Sequence, residues 1–294
     1  MSATATGALL ALAAALALNG SYLLQHAGAR RLAAVDPRHP VATLASLLRA
    51  PAWSVGAVLG ITGWALHLGA MRDAPLSLVQ AFVAGGLALA VPMAAIGLRR
   101  RLRPPELRAL ALMLLALLGL AYGLRSGSAR GAFSPLALGL WMGALAAAAA
   151  GLAAGAGGVR RPAALGFAGG LLYGAADLAL KAVTGLGGME AVIGSPWLWA
   201  ALAATAGAFF CFQRGLQGEA PLVVIALMTA ATNAGSIAGA FAVFGDPLGR
   251  TPGLALLHGA ALVLVVVAAF RLAPAQARLV EGAGAGAGSE TAAG

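Results

Sequence analysis

The chain has 294 residues, of which 61% are hydrophobic and 10% charged. Mean hydropathy is +0.89, whereas a soluble domain carries about 25% charged residues. These values argue against a soluble enzyme. They also argue against a nucleic-acid binder, despite a formal charge of +10. They describe an all-α integral membrane protein.

Nine apolar segments approach the ~20 residues that cross a hydrocarbon core of about 30 Å. They are residues 3–24, 52–71, 76–98, 107–124, 132–156, 163–186, 196–213, 220–244 and 253–272. The first lacks a basic stretch before it and is followed by arginines. It reads as a retained span and not a cleaved signal. In the loop at 25–50, Val41, Leu44, Leu47 and Leu48 lie between Arg38 and Arg49. That pattern predicts a short helix on the membrane surface. Residues 273–294 end in alternating Gly and Ala and predict a disordered cytoplasmic tail.

Fourteen of the nineteen basic residues fall in the loops after spans 1, 3, 5 and 7 and in the tail. Arg30, Arg31, Arg99, Arg100, Arg160 and Arg161 are among them. Arg72, Arg125, Arg130 and Arg250 fall on the other side, and Lys181 is inside a span. The positive-inside rule then places the N-terminus outside and the C-terminus in the cytoplasm of the cell membrane. Only an odd number of spans keeps this alternation.

The sixth span carries Asp177 and Lys181. At 100° per residue, Gly166, Gly170, Tyr173, Gly174, Asp177 and Lys181 share one arc of about 100°. The three glycines form overlapping GxxxG steps that let another helix come close. A charge near mid-membrane costs roughly 2.5–3.5 kcal/mol, so it faces a partner or a wet cavity. Asp177 and Lys181 stand i, i+4 and can pair with each other. The alternative is that they line a functional cavity.

The sequence also repeats. Asp73-Ala74-Pro75-Leu76 returns 146 residues later as Glu219-Ala220-Pro221-Leu222. At the same offset Trp64 meets Phe210, His67 meets Gln213 and Val79 meets Ile225. Spans 1–4 (residues 1–124) thus repeat as spans 6–9 (163–272), with span 5 (125–162) as connector. Equivalent spans are five apart, so the second unit enters from the opposite face. The expected architecture is a 4+1+4 inverted-topology repeat of nine transmembrane helices. Asp73 and Glu219, each just before Ala-Pro, read as helix caps.

Further polar residues mark the neighbouring spans. Thr229, Thr232, Asn233 and Ser236 make a stripe on span 8. This stripe either bonds between helices or lines a cavity. Gln80 lies early in span 3, Trp64 and His67 share a face of span 2, and Asn19 and Tyr22 share one of span 1. The expected substrate-binding set is therefore Asp177, Lys181, Tyr173, Trp64, His67, Asn233, Gln80 and Asn19. No Walker loop, HExxH or GxSxG is present, and nothing calls for a cofactor or an enzymatic activity.

Two four-helix units joined by a fifth, with Trp53 to Gly56 in the second span and Ala74 to Gln80 opening the third, resemble the drug/metabolite transporter (EamA-like) superfamily. Tyr22-Leu23-Leu24 before a basic loop and Lys181-Ala182-Val183 are most similar to its NIPA-type magnesium transporter branch. That resemblance implies nine spans, an outside N-terminus and transport of a small solute by alternating access. In the NIPA-type branch it also implies magnesium or another divalent cation. That branch typically has a carboxylate near the position of Trp64, which is aromatic here. The expected partners are a small-molecule or ion substrate and the lipid bilayer, without nucleic acid. A homodimer is an assembly the sequence allows. The third reading is a non-transporting membrane scaffold or partner subunit.

Overall fold

The computed structural model describes residues 3–29, 32, 36, 38–86, 88, 91–92, 95, 101–122, 133–157, 161–217, 221–246 and 251–290. Among them there is no strand. The helices are α1 Ala3–Ala29, α2 Pro40–Leu48, α3 Pro51–Asp73, α4 Leu76–Gly85, α5 Pro104–Ala121 and α6 Pro135–Gly155. They continue with α7 Arg161–Thr184, α8 Met189–Gly194, α9 Pro196–Leu216, α10 Pro221–Phe244 and α11 Pro252–Glu290.

Proline opens most of these helices, where its missing N–H costs nothing and its φ is already helical. Ser134 and Ser195 cap α6 and α9 by accepting the backbone N–H of Ala137 and Trp197, both at 3.3 Å. Glu106 accepts the Arg103 N–H at 2.7 Å at the start of α5.

Six described helices, α1, α3, α6, α7, α10 and α11, are long and apolar enough to cross a membrane. The other three expected spans fall on α4, α5 and α9. Unbroken helix in α4 covers ten residues, and α5 has 18. In α9 there are 21 residues, with Gln213 and Arg214 near the end. Large apolar side chains point outward, among them Val58, Ile61, Leu115, Leu118, Leu136 and Leu140. An apolar exterior on this scale fits lipid and not water.

In the centre lies α7, most of whose residues are buried, whereas α6 buries only Leu138 and Ala149. It packs on α9, α10, α6 and α3, while α1 packs along α3 and α11 along α5. Its glycines set the distances. A Cβ on Gly166 would stand 2.7 Å from the Val224 carbonyl, and one on Gly170 would stand 2.3 Å from the Met228 carbonyl. The close partner of the GxxxG face is therefore α10.

Three expectations change. The first helix runs on to Ala29, past the expected end at residue 24. The segment expected as a disordered tail is helical to Glu290. It is rich in alanine, the residue with the lowest cost in a helix. Asp73 does not cap α4. It is the last residue of α3, and the cap position is taken by Pro75, whose own side chain makes no cap bond. Glu219 lies outside the described residues. The short helix expected in the 25–50 loop is α2, but of its large apolar residues Leu47 is buried while Val41, Leu44 and Leu48 are exposed.

Candidate functional site: a cavity ending at Asp177

Helices α1, α3, α4, α7, α9 and α10 surround a cavity of about 480 Å³. Asp177 of α7 lies at one end of it. On α3 the lining stops at His67 and on α7 at Asp177. It runs in the other direction through Trp64, Gly60 and Trp53 on α3, and through Asn19, Tyr22 and Gln25 on α1.

Asp177 is 7% exposed and accepts from three helices. The Gln80 amide donates to its Oδ2 at 2.6 Å. Ser236 Oγ reaches the same oxygen at 3.2 Å. His67 Nε2 meets Oδ1 at 3.3 Å. A carboxylate only accepts, so Nε2 carries the proton. Nδ1 of His67 is then left buried without a partner. Three partners thus surround a carboxyl in a place where an unpaired charge is costly.

Asn233 of α10 also lines the cavity. Its amide nitrogen donates to Thr229 O at 2.9 Å, and its Oδ1 is buried without a partner. The polar stripe of α10 does two jobs. The Thr232 hydroxyl is shared between the Met228 and Gly170 carbonyls across the α7 contact, and Ser236 Oγ, which reaches Asp177, stands 3.5 Å from the Gly174 carbonyl. Thr229, Thr232 and Asn233 face the cavity.

Aromatic rings cover much of the remaining wall. Tyr22, Trp53, Trp64, Tyr173, Phe209 and Phe212 all contribute. Tyr22 and Phe212 meet edge to face at 5.3 Å and bring α1 against α9. Near the same end, Gln213 Nε2 donates to Gln25 Oε1 at 2.5 Å.

Of the eight residues expected at the site, Asp177, Tyr173, Trp64, His67, Asn233, Gln80 and Asn19 line this one cavity. Lys181 does not line it. Its Nζ turns away from Asp177 and donates to Met71 O at 2.6 Å and Ala74 O at 2.8 Å. Both carbonyls belong to the end of α3, where carbonyls lack helical partners and attract cations. The i, i+4 pairing of Asp177 with Lys181 is therefore absent.

Beside this cluster lies a carboxylate that the sequence reading missed. Asp246 Oδ2 accepts both the N–H and the hydroxyl of Ser77, each at 2.8 Å. It thereby satisfies the start of α4. Gly245, at φ 61°, bends the chain out of α10 to deliver it. Burial pushes the Asp246 carboxyl up, while the Ser77 bonds and the charge of Lys181 pull it back. Lys181, Asp246, Ser77, Met71 and Ala74 together seal the bundle beyond Asp177. The only hint of Asp246 in the sequence was an acid directly after an apolar span.

No family model, curated protein or solved structure matches the chain. What the site does must be argued from its own chemistry.

Proposed function

We propose that the chain is a multi-pass transporter of the cell membrane that moves a small solute by alternating access through this cavity. The carrying observation is Asp177. A single carboxylate at one end of an aromatic cavity, between helices of both halves, is a solute site and a poor structural element. The proposed architecture is nine spans in a 4+1+4 inverted repeat of the drug/metabolite transporter type, N-terminus outside.

Two features favour the repeat. The chain packs α1 on α3 in one half and α7 on α9 in the other. The equivalent residues His67 and Gln213 each cross to the opposite half, His67 to Asp177 on α7 and Gln213 to Gln25 on α1. In the proposed topology the cavity faces the cytoplasm, and the Lys181–Asp246 cluster closes the outside.

The magnesium reading has less support. Magnesium wants several hard oxygen ligands. Among the described residues no group of three His, Cys, Asp or Glu is placed to hold a metal.

Reporter fusions at Gly127 and Gly158 are expected to report outside and inside respectively. Both on one side would remove the fifth span and the inversion with it. In liposomes, the purified chain is expected to pass at least one labelled small solute about tenfold faster than a folded Asp177→Asn variant, the loss of one charge-assisted contact. Equal flux of every solute through both proteins would leave the scaffold reading.

A further inference from the structure

We infer that the occupant of the cavity is a monovalent organic cation of one kind, a primary amine on an aromatic or apolar body. This inference rests on the transport reading for its purpose but not for its chemistry. Four observations carry it.

The first is charge. Asp177 is the carboxylate among the described lining residues, which include no lysine or arginine. Lys181, the one cation on α7 within a turn of it, is committed to the Met71 and Ala74 carbonyls. An ionised Asp177 beside a neutral His67 would give this end of the cavity one uncompensated negative charge. A monocation cancels it, and a divalent metal or an anion does not.

The second is the set of unused acceptors. His67 Nδ1 and Asn233 Oδ1 are both buried and both without a partner. Their residues are 4% and 3% exposed. The Asn233 orientation follows from chemistry, because only the amide nitrogen can donate to Thr229 O. Asn233 precedes Ser236 by three residues, so it shares the helix face that reaches Asp177. His67 holds the other oxygen of the same carboxylate. Two acceptors thus await donors beside the carboxylate. A primary ammonium has three N–H donors and no acceptor. A quaternary ammonium has none.

The third is the wall. Tyr22, Tyr173 and Trp64 lie along the lining next to the carboxylate's helices. Aromatic faces attract cations and pack flat apolar bodies. The fourth is size. About 480 Å³ is the volume of a pocket for an organic ligand, far more than a magnesium ion needs. Trp53 Nε1, also buried without a partner, lies about 21 Å along α3 from His67. It lies at the far end of the lining and is not part of the ammonium site.

The test uses the full chain in detergent and its own tryptophan fluorescence, since Trp53 and Trp64 line the cavity. Three probes of one shape separate the contributions: phenethylamine, its trimethylammonium analogue and the neutral 2-phenylethanol. Phenethylamine is expected to quench saturably. The alcohol and the trimethylammonium analogue are each expected to bind about tenfold or more weakly, the loss of a charge-assisted hydrogen bond. Asp177→Asn is expected to abolish the preference for amine over alcohol. The ligand comparison on the unchanged chain stands even where a variant folds poorly.

Equal binding of amine and alcohol would overturn the charge argument. Equal binding of amine and trimethylammonium would overturn the donor argument. Displacement of the amine by magnesium chloride would overturn both in favour of a metal site. Amine binding without amine flux in liposomes would sink the transport reading and leave the occupant standing. Flux of another solute without amine binding would do the reverse.

Discussion

Gly170→Leu is expected to prevent stable folding, and even Gly170→Ala to cost several kcal/mol. A Cβ there would stand 2.3 Å from the Met228 carbonyl oxygen and 2.7 Å from the Ala231 Cβ. Real Cβ atoms do not approach that closely, and the obstacle is backbone. Helices α7 and α10 would have to separate. That would break the Thr232 bond to Gly170 O at 3.1 Å and pull Ser236 from Asp177. Overpacking alone costs about 1–3 kcal/mol. Loss of a helix contact and its hydrogen bonds puts the total at about 4 kcal/mol or more, the range of the severest point mutations. Gly143→Ala is the control. Nothing stands within 4 Å of its missing Cβ, and alanine favours the helix by about 0.5–1 kcal/mol. Melting curves in detergent that rank the two variants equally would show that α7 and α10 do not meet through this face. Ala168, two residues earlier, is no control, because it is fully buried itself.

Lys181→Met is expected to destabilise the protein without touching the cavity. It leaves the carbonyls of Met71 and Ala74 buried and without their lysine donor, each worth about 1–3 kcal/mol. Asp246 also loses the attraction of the Lys181 charge. The stronger test is the double variant. Were Asp177 and Lys181 an ion pair, Asp177→Asn would rescue much of the Lys181→Met loss. Since Lys181 bonds α3 and Asp177 bonds His67, Gln80 and Ser236, the two losses are expected to add within about 0.5 kcal/mol. A rescue of more than 1 kcal/mol in melting experiments, on the order of a direct ion pair in a dry site, would contradict the observed partners.

Much of this architecture was legible in the sequence because the bilayer imposes a length. Every apolar run of about 20 residues became or overlapped a helix. Asp177 was legible because a carboxylate inside such a run is expensive and needs a reason. The companions of Asp177 on the same wall followed from helical spacing. What the sequence did not carry is the choice of partner. Spacing allowed Asp177 to meet Lys181 four residues on, and no rule within one helix sends Lys181 to carbonyls 107 and 110 residues away. Asp246 escaped because it lies just beyond a span, where an acid is ordinary. The glycine arc was read correctly as a close-packed face, but only the fold says that α10 fills it.

The sealing cluster also bears on how the chain is made. The last carbonyls of α3 are satisfied by Lys181, which follows Met71 by 110 residues. The first N–H of α4 to be satisfied by a side chain waits for Asp246, 169 residues after Ser77. Synthesis proceeds from the N-terminus at about 5–20 residues per second. The turn between α3 and α4 therefore leaves the ribosome many seconds before either of its partners. During that interval its polar backbone has to stay hydrated at the membrane surface. The first half of the chain cannot complete this end until the second half has arrived.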